Sequence, residues 1–240
     1  AEIKKFFTLV IPRSMDIAID QVNFLIETII ASHLVSGSMS IYYYANGIKN
    51  VPVGLVGGAI GTAIFPSMIR AVKSKKKNEV GQVIERNWRM VIVFMLPITL
   101  TFVVLRGYFI RLLYGAGDLK TATVVLYMAG SILAQSLFIF IARIFYALED
   151  TKTPFIISLI SVAINIVLSL LFVEILGPDN GLYGLALAMS IASLVELIIA
   201  IFILVKRTRL DNIAQTIRFH IVLLIACVSS AFITYLSTRY

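Results

Sequence analysis

Arg13, Asp16, Asp20, Asn23 and Glu27 follow one another at separations of 3, 4, 3 and 4 positions inside a long apolar stretch. A helix turns by about 100° per residue, so all five fall on one stripe. An ionisable group in hydrocarbon costs about 2.5 to 3.5 kcal/mol by insertion scales, so four of them on one face require a wet or protein-lined interior. The chemistry this offers is the holding of polar or charged cargo within a membrane. Arg13 and Asp16 sit near the start of the stretch, where solvent or pairing at a spacing of three accounts for them. Asp20, Asn23 and Glu27 lie deeper, where only a hydrated cavity or an ion site relieves their cost.

Further polar positions are scattered through the later apolar runs. Asn46, Lys49 and Asn50 precede Pro52, and a lysine in that company can meet the acidic stripe or an anionic substrate. Ser158, Ser161, Asn165 and Ser169 are separated by 3, 4 and 4 positions. Asn165 is a candidate cavity residue, while serines also back-bond to their own helix and mark close packing. Ser131 and Gln135 share a face, and Arg143 is placed to snorkel. Glu196, three positions from Ser193, is protonated, paired with another span or part of a cation path, and all three readings stand. Cys227 is a small packing residue. His33 and His220 lie far apart without ligand partners, so no metal site is expected there. The run Gly54, Gly57, Gly58, Gly61 lacks a following Lys-Ser/Thr, so it reads as a packing face of small residues and not a phosphate cradle.

The elements that must position these residues follow from composition. Of 240 residues, 59% are hydrophobic and 14% charged, and the mean hydropathy is +0.94; a soluble domain carries about 25% charged residues. Seven runs are long enough to cross a bilayer, which takes about 20 residues: 10–34, 40–69, 88–114, 122–148, 154–176, 182–205 and 217–236. They lack period-two alternation, so the expected fold is all-α, a polytopic transmembrane helical bundle. Pro52 and Pro66 predict a kink in the second run. Lys4 and Lys5, the cluster from Arg70 to Arg89, and Lys206, Arg207 and Arg209 fall on alternate connections, which places the first residue on the cytoplasmic side. Residues 70–87 are expected to form a basic cytoplasmic loop, with an interfacial helix over 78–89 carrying Val80, Val83, Ile84 and Trp88. The net charge of +8 is thereby explained by topology and anionic lipid, and no nucleic-acid partner is expected.

An ordered set of fragments resembles a known family. Pro12-Arg13, Gln21-Val22-Asn23, Ala31-Ser32, Gly37-Ser38, Tyr43-Tyr44-Ala45, Pro52-Val53-Gly54 and Phe65-Pro66-Ser67 look like the first two spans in the second half of the MurJ/MviN lipid II flippases. The segment from Phe145 to Pro154, Asn165, and Gly181-Leu182-Tyr183-Gly184-Leu185-Ala186 are similar to later parts of the same half.

The resemblance implies one lobe of a two-lobe transporter of the multidrug/oligosaccharidyl-lipid/polysaccharide exporter superfamily, in the bacterial inner membrane. Such a transporter moves a lipid-linked diphosphate outward by alternating access, with no covalent chemistry, no catalytic residue and no cofactor beyond Na⁺ or H⁺ as coupling ion. It implies a substrate cavity lined by Arg13, Asp16, Asp20, Asn23, Asn46 and Lys49, with lipid tails in a groove, and a monovalent cation site at Glu27, Asn165 and Ser169. The partners implied are lipid substrate, membrane lipids and an N-terminal half of the transporter. The chain departs from the family at Asn46-Gly47, commonly Asp-Arg, and at Ser169, where an acidic ligand is expected. The competing readings are a related exporter of polysaccharide lipids or organic-cation drugs, and a non-transporting membrane scaffold.

Overall fold

The computed structural model describes residues 2–73, 77–115 and 119–208, together with Leu223, Cys227 and Ser229. Side chains are described from Met15 onward, apart from those of residues 16, 17, 55–57, 73 and 77–79. The described elements are α1 (Glu2–Ser32), α2 (Ser38–Pro52), a π-helical turn (Val53–Gly58), α3 (Ala59–Lys73), α4 (Lys77–Tyr114), α5 (Leu119–Ala147) and α6 (Lys152–Thr208), with no strand among the described residues. Among the described residues, three helices are long and apolar enough to cross a membrane: Val80–Tyr114, Leu119–Ala147 and Lys152–Thr208. The 31 residues of α1 have the length, and its polar stripe is what lowers its apolarity.

Helix α6 is broken at Gly177, whose φ of 73° and ψ of 176° lie outside the helical range. Pro178 follows, and a proline disfavours helix at the residue before it. The break divides α6 into arms 152–176 and 178–208, each long enough at about 1.5 Å per residue to cross about 30 Å of hydrocarbon. These arms hold the residues expected in the fifth and sixth spans. They fold tightly together, since a Cβ at Gly184 would lie 2.8 Å from Cβ of Phe172 and 3.2 Å from its carbonyl carbon. The expected second span is likewise divided, into α2, the π-turn and α3. A π-turn beside Pro52 has a local cause, because proline removes one backbone donor and its ring crowds the preceding turn.

The glycine run plays two roles. Gly54 and Gly58 belong to the π-turn, and a Cβ at either would have nothing within 4 Å, whereas a Cβ at Gly61 would lie 2.5 Å from Arg143 Nε. Small-residue packing therefore operates at Gly61, and Arg143 is half-buried across α3. Residues 78–89, expected as an interfacial helix, belong to the first turns of α4. Val80, Val83, Ile84 and Trp88 pack into the apolar core there, so the stripe that suggested a membrane surface faces protein.

Helix α5 is the centre of the bundle, packed against α6, α4 and α2. One apolar cluster gathers Met68, Ile84, Met95, Phe140 and Phe145; a second gathers Tyr42, Ile48, Val125, Met128 and Leu185. The partly buried Leu223 and Cys227 pack on the first cluster, which agrees with a packing role for that cysteine. Otherwise the expected seventh span, with His220, lies outside the described residues.

At one end of the bundle, Asp150 ties three segments together. Glu149 adopts a left-handed φ of 60° and ends α5, and Asp150 accepts the N–H groups of Lys152 and Thr153 at 3.1 and 3.0 Å as the cap of α6. Its other oxygen accepts Thr153 Oγ1 at 2.6 Å and Arg207 Nη1 from the far arm of α6. Partial burial pushes the Asp150 carboxyl up, but the bonds from Thr153 and Arg207 outweigh it and hold the group below the usual carboxylate range.

Candidate functional site

A cavity of about 510 Å³ opens between the two apolar clusters, lined from α1 by Asp20, Gln21, Asn23, Phe24 and Glu27 and from α2 by Tyr43, Asn46, Gly47, Lys49 and Asn50. Val53, Gln135, Phe138, Ile139, Ser158, Met189 and Glu196 complete its wall. Three carboxylates, one ammonium and several amides thus meet in one space. The side chains of Arg13 and Asp16 lie outside those described, although both residues belong to α1.

The deepest group is Glu27, which is fully buried. Its carboxylate accepts Tyr42 Oη from α2 and, at 2.6 Å, Asn165 Nδ2 from α6. The same Asn165 nitrogen donates to Asn23 Oδ1 at 3.1 Å. A buried carboxylate needs this many donors, because desolvating it without them costs several kcal/mol or more. The amide orientation leaves Asn165 Oδ1 buried without a hydrogen-bond partner, and Ser169 Oγ, one turn along the same arm, is in the same condition. Orphaned buried oxygens are rare. A carboxylate, an amide oxygen and a hydroxyl are the donor types a hard monovalent cation takes, and it is the Asn165 nitrogen that faces Glu27 in this structure. No cluster of three or more His, Cys, Asp or Glu residues suited to a metal occurs among the described residues.

Lys49, 3% exposed, donates to Gln135 Oε1 at 3.2 Å and to Met189 Sδ at 3.3 Å. Gln135 Nε2 passes the contact on to Ser193 Oγ at 3.3 Å, and Glu196 stands one turn further along that arm. Asn46, Gly47 and Lys49 all line the cavity, and α2 stays α-helical to Pro52. Lys49 therefore enters the cavity from an undistorted helix, through the length of its side chain.

The serines divide between packing and cavity. Ser161 Oγ donates to Ala192 O at 3.2 Å across the two arms of α6, while Ser158 faces the cavity. Ser190 Oγ accepts Ser131 N and donates to Tyr127 O, fastening α5 to the second arm beside Gly130. Tyr42 was not among the residues singled out by spacing. Its position seven residues before Lys49, on the same face of α2, is the signal that would have found it.

An antiparallel α1–α2 hairpin, a kinked pair of helical arms and a buried carboxylate–amide cluster beside a polar cavity define a lobe of a polytopic helical membrane protein. In fold, the chain is similar to a solved structure of lipid II flippase MurJ in an inward closed conformation, with a TM-score of 0.79 and 23% identity over 97% of this chain and 48% of that one. It is also similar to an outward-facing multidrug resistance MATE family transporter of the MOP superfamily, with a TM-score of 0.74 and 15% identity over 97% of this chain and 54% of that one. The sequence carries the assignment further. The family model described as Lipid II flippase MurJ matches residues 1–240, and the chain belongs to that family.

Relatives named "Probable lipid II flippase MurJ" include one from Rhizobium tropici, 31% identical over 99% of this chain and 45% of that protein. Another, from Rhizobium meliloti (strain 1021), is 32% identical over 85% of this chain and 38% of its own length. A third, from Helicobacter pylori (strain J99), is 30% identical over 95% of this chain and 50% of that protein. The chain thus spans about half the length of these relatives or less.

Proposed function

We propose that this chain is one lobe of a lipid II flippase, acting with a second lobe in a bacterial inner membrane and moving lipid-linked peptidoglycan precursor outward by cation-coupled alternating access. Its first residue faces the cytoplasm, on the grounds of the basic connections. The observation that carries the reading is the Glu27–Asn165 cluster at the wall of a cavity that also holds Asp20 and Lys49. Asp20, Asn23, Asn46 and Lys49, with Arg13 and Asp16 further along α1, are assigned to the polar headgroup, and Lys49 to its diphosphate. Glu27, Asn165 and Ser169 are assigned to Na⁺ or H⁺. The seven spans, with the basic residues of 70–87 on the cytoplasmic side, complete the proposed topology.

The test is native mass spectrometry of the complete transporter that contains this chain, titrated with lipid II and with undecaprenyl phosphate. Selective lipid II binding that is lost when Asp20 and Asn23 both become Leu supports the reading. Binding of neither lipid, or binding of an organic cation in their place, overturns it in favour of another exporter of the superfamily or a scaffold.

A further inference from the structure

Three helices meet at the tip of one side chain. The Lys49 ammonium, from α2, donates to Gln135 Oε1 on α5 at 3.2 Å and to Met189 Sδ on the second arm of α6 at 3.3 Å. The thioether is a weak acceptor, so the amide oxygen is the firmer hold. That amide can face only one way. An ammonium donates and cannot accept, so the NH2 end of Gln135 must turn away from it, and it donates to Ser193 Oγ at 3.3 Å. Met189 and Ser193 are four positions apart, so one arm of α6 supplies both the second acceptor of Lys49 and the partner of Gln135. One turn back along α5, Ser131 N donates to Ser190 Oγ, and a Cβ at Gly130 would lie 3.3 Å from the Ser190 Cβ. Gln135 therefore stands where α5 and α6 are held at close range. Lys49 and Gln135 both line the cavity.

We infer that Gln135 is a positioning residue for the substrate: it fixes the Lys49 ammonium at the cavity wall for the diphosphate of the lipid-linked cargo, and Ser193 sets the amide that does so. The inference rests on the proposed function and adds to it a residue that acts only through Lys49. A lysine carries its charge on a flexible four-carbon stem and does not place it unaided. A neutral acceptor places the ammonium without taking the part of the anion, and of the three N–H donors two are engaged here, which leaves the third for a phosphate oxygen. A carboxylate at the same position would hold the ammonium as a charge-assisted partner and compete with the diphosphate for it. Two consequences separate this role from a merely structural one. Loss of the Gln135 amide weakens substrate binding only while Lys49 is present, because residues that act through one another are not additive. Gln135→Glu, which keeps the size and shape of the side chain, weakens binding as well.

The experiment is a double-mutant cycle on lipid II binding to the complete transporter, read by native mass spectrometry, with melting midpoints in detergent to show that each variant is folded. Gln135→Leu is expected to weaken binding about tenfold, the order of one hydrogen bond to a charged group. Lys49→Met is expected to bind weakly, and adding Gln135→Leu to it to change nothing more. Gln135→Glu is expected to bind at least as weakly as Gln135→Leu. The role of Gln135 is overturned if Gln135→Leu binds as the wild type does, if it weakens binding by the same factor with Lys49→Met in place, or if Gln135→Glu binds as tightly as the wild type. Binding unweakened by Lys49→Met overturns the assignment of Lys49 to the diphosphate, and the role of Gln135 with it. A wild type that binds no lipid II overturns the flippase reading itself.

Discussion

Asn165 donates its amide to Glu27 at 2.6 Å across 138 positions of sequence, so the first and sixth helices are fastened through a carboxylate buried in the bundle. Substituting Asn165→Leu removes one donor from a buried acceptor, which costs about 1 to 3 kcal/mol. Thermal unfolding in detergent is expected at a lower apparent midpoint. Asn165→Asp would set a second carboxylate beside the first. Its midpoint should rise on exchanging choline for sodium by more than that of the wild type, because a cation bound only to the folded state stabilises it. Equal shifts in the two proteins would argue against a cation at this cluster.

Gly184 and Gly61 are both close contacts, but of different stiffness. A Cβ at Gly184 meets the backbone and Cβ of Phe172, while one at Gly61 meets the Arg143 side chain. Backbone cannot step aside, so Gly184→Ala is expected to cost about 1 to 3 kcal/mol as overpacking. Gly61→Ala displaces a flexible arginine and should cost clearly less. Paired melting curves of the two variants check the order.

At Gly177 the limit is conformational and not spatial, since nothing lies within 4 Å of a Cβ there. Its φ of 73° with ψ of 176° belongs to a region open essentially to glycine alone, at a cost of about 1 to 3 kcal/mol for other residues. Gly177→Ala is expected to lower stability by that amount although it adds only one methyl group to open space. Unchanged melting would mean that the break between the arms relaxes to another conformation.

Asp150 sets an acid limit. Its folded-state pKa lies below the ordinary carboxylate value, so the stability it contributes is present above that ordinary value and is lost as pH falls through the depressed folded value. The Arg207 side chain is 48% exposed, and that ion pair adds little; the cap on α6 carries most of the effect. Asp150→Ala is expected to cost about 1 kcal/mol at neutral pH. Asp150→Asn should flatten the acid limb of a plot of melting midpoint against pH. An acid limb identical to that of the wild type would place the sensitivity elsewhere.

Periodicity is local, and what is local was legible. The stripe through Asp20, Asn23 and Glu27 follows from 3.6 residues per turn, and the structure keeps all three on the cavity wall. The same rule misleads where a stripe has two possible partners. Val80, Val83, Ile84 and Trp88 form an apolar face whose spacing suits a membrane surface as well as a core, and they pack into the core. Tyr42 shows the converse, being fully buried against Glu27 from another helix, with nothing in its immediate neighbours to mark it.

By itself, the amino-acid sequence determined that this protein is helical, that it is apolar enough for a membrane and that one face of its first helix must look on something polar. Those properties depend on residue type and on spacing within one helix. Tertiary structure decided the rest: that Asn165 and not another amide reaches Glu27, that Lys49 rests on Gln135 and Met189 in the cavity that Asp20 and Glu27 also line, and that the glycine run splits between a π-turn and a contact for Arg143. The physical reason is register. Helical period says which residues share a face, but the level at which two faces meet depends on the packing of every side chain between them.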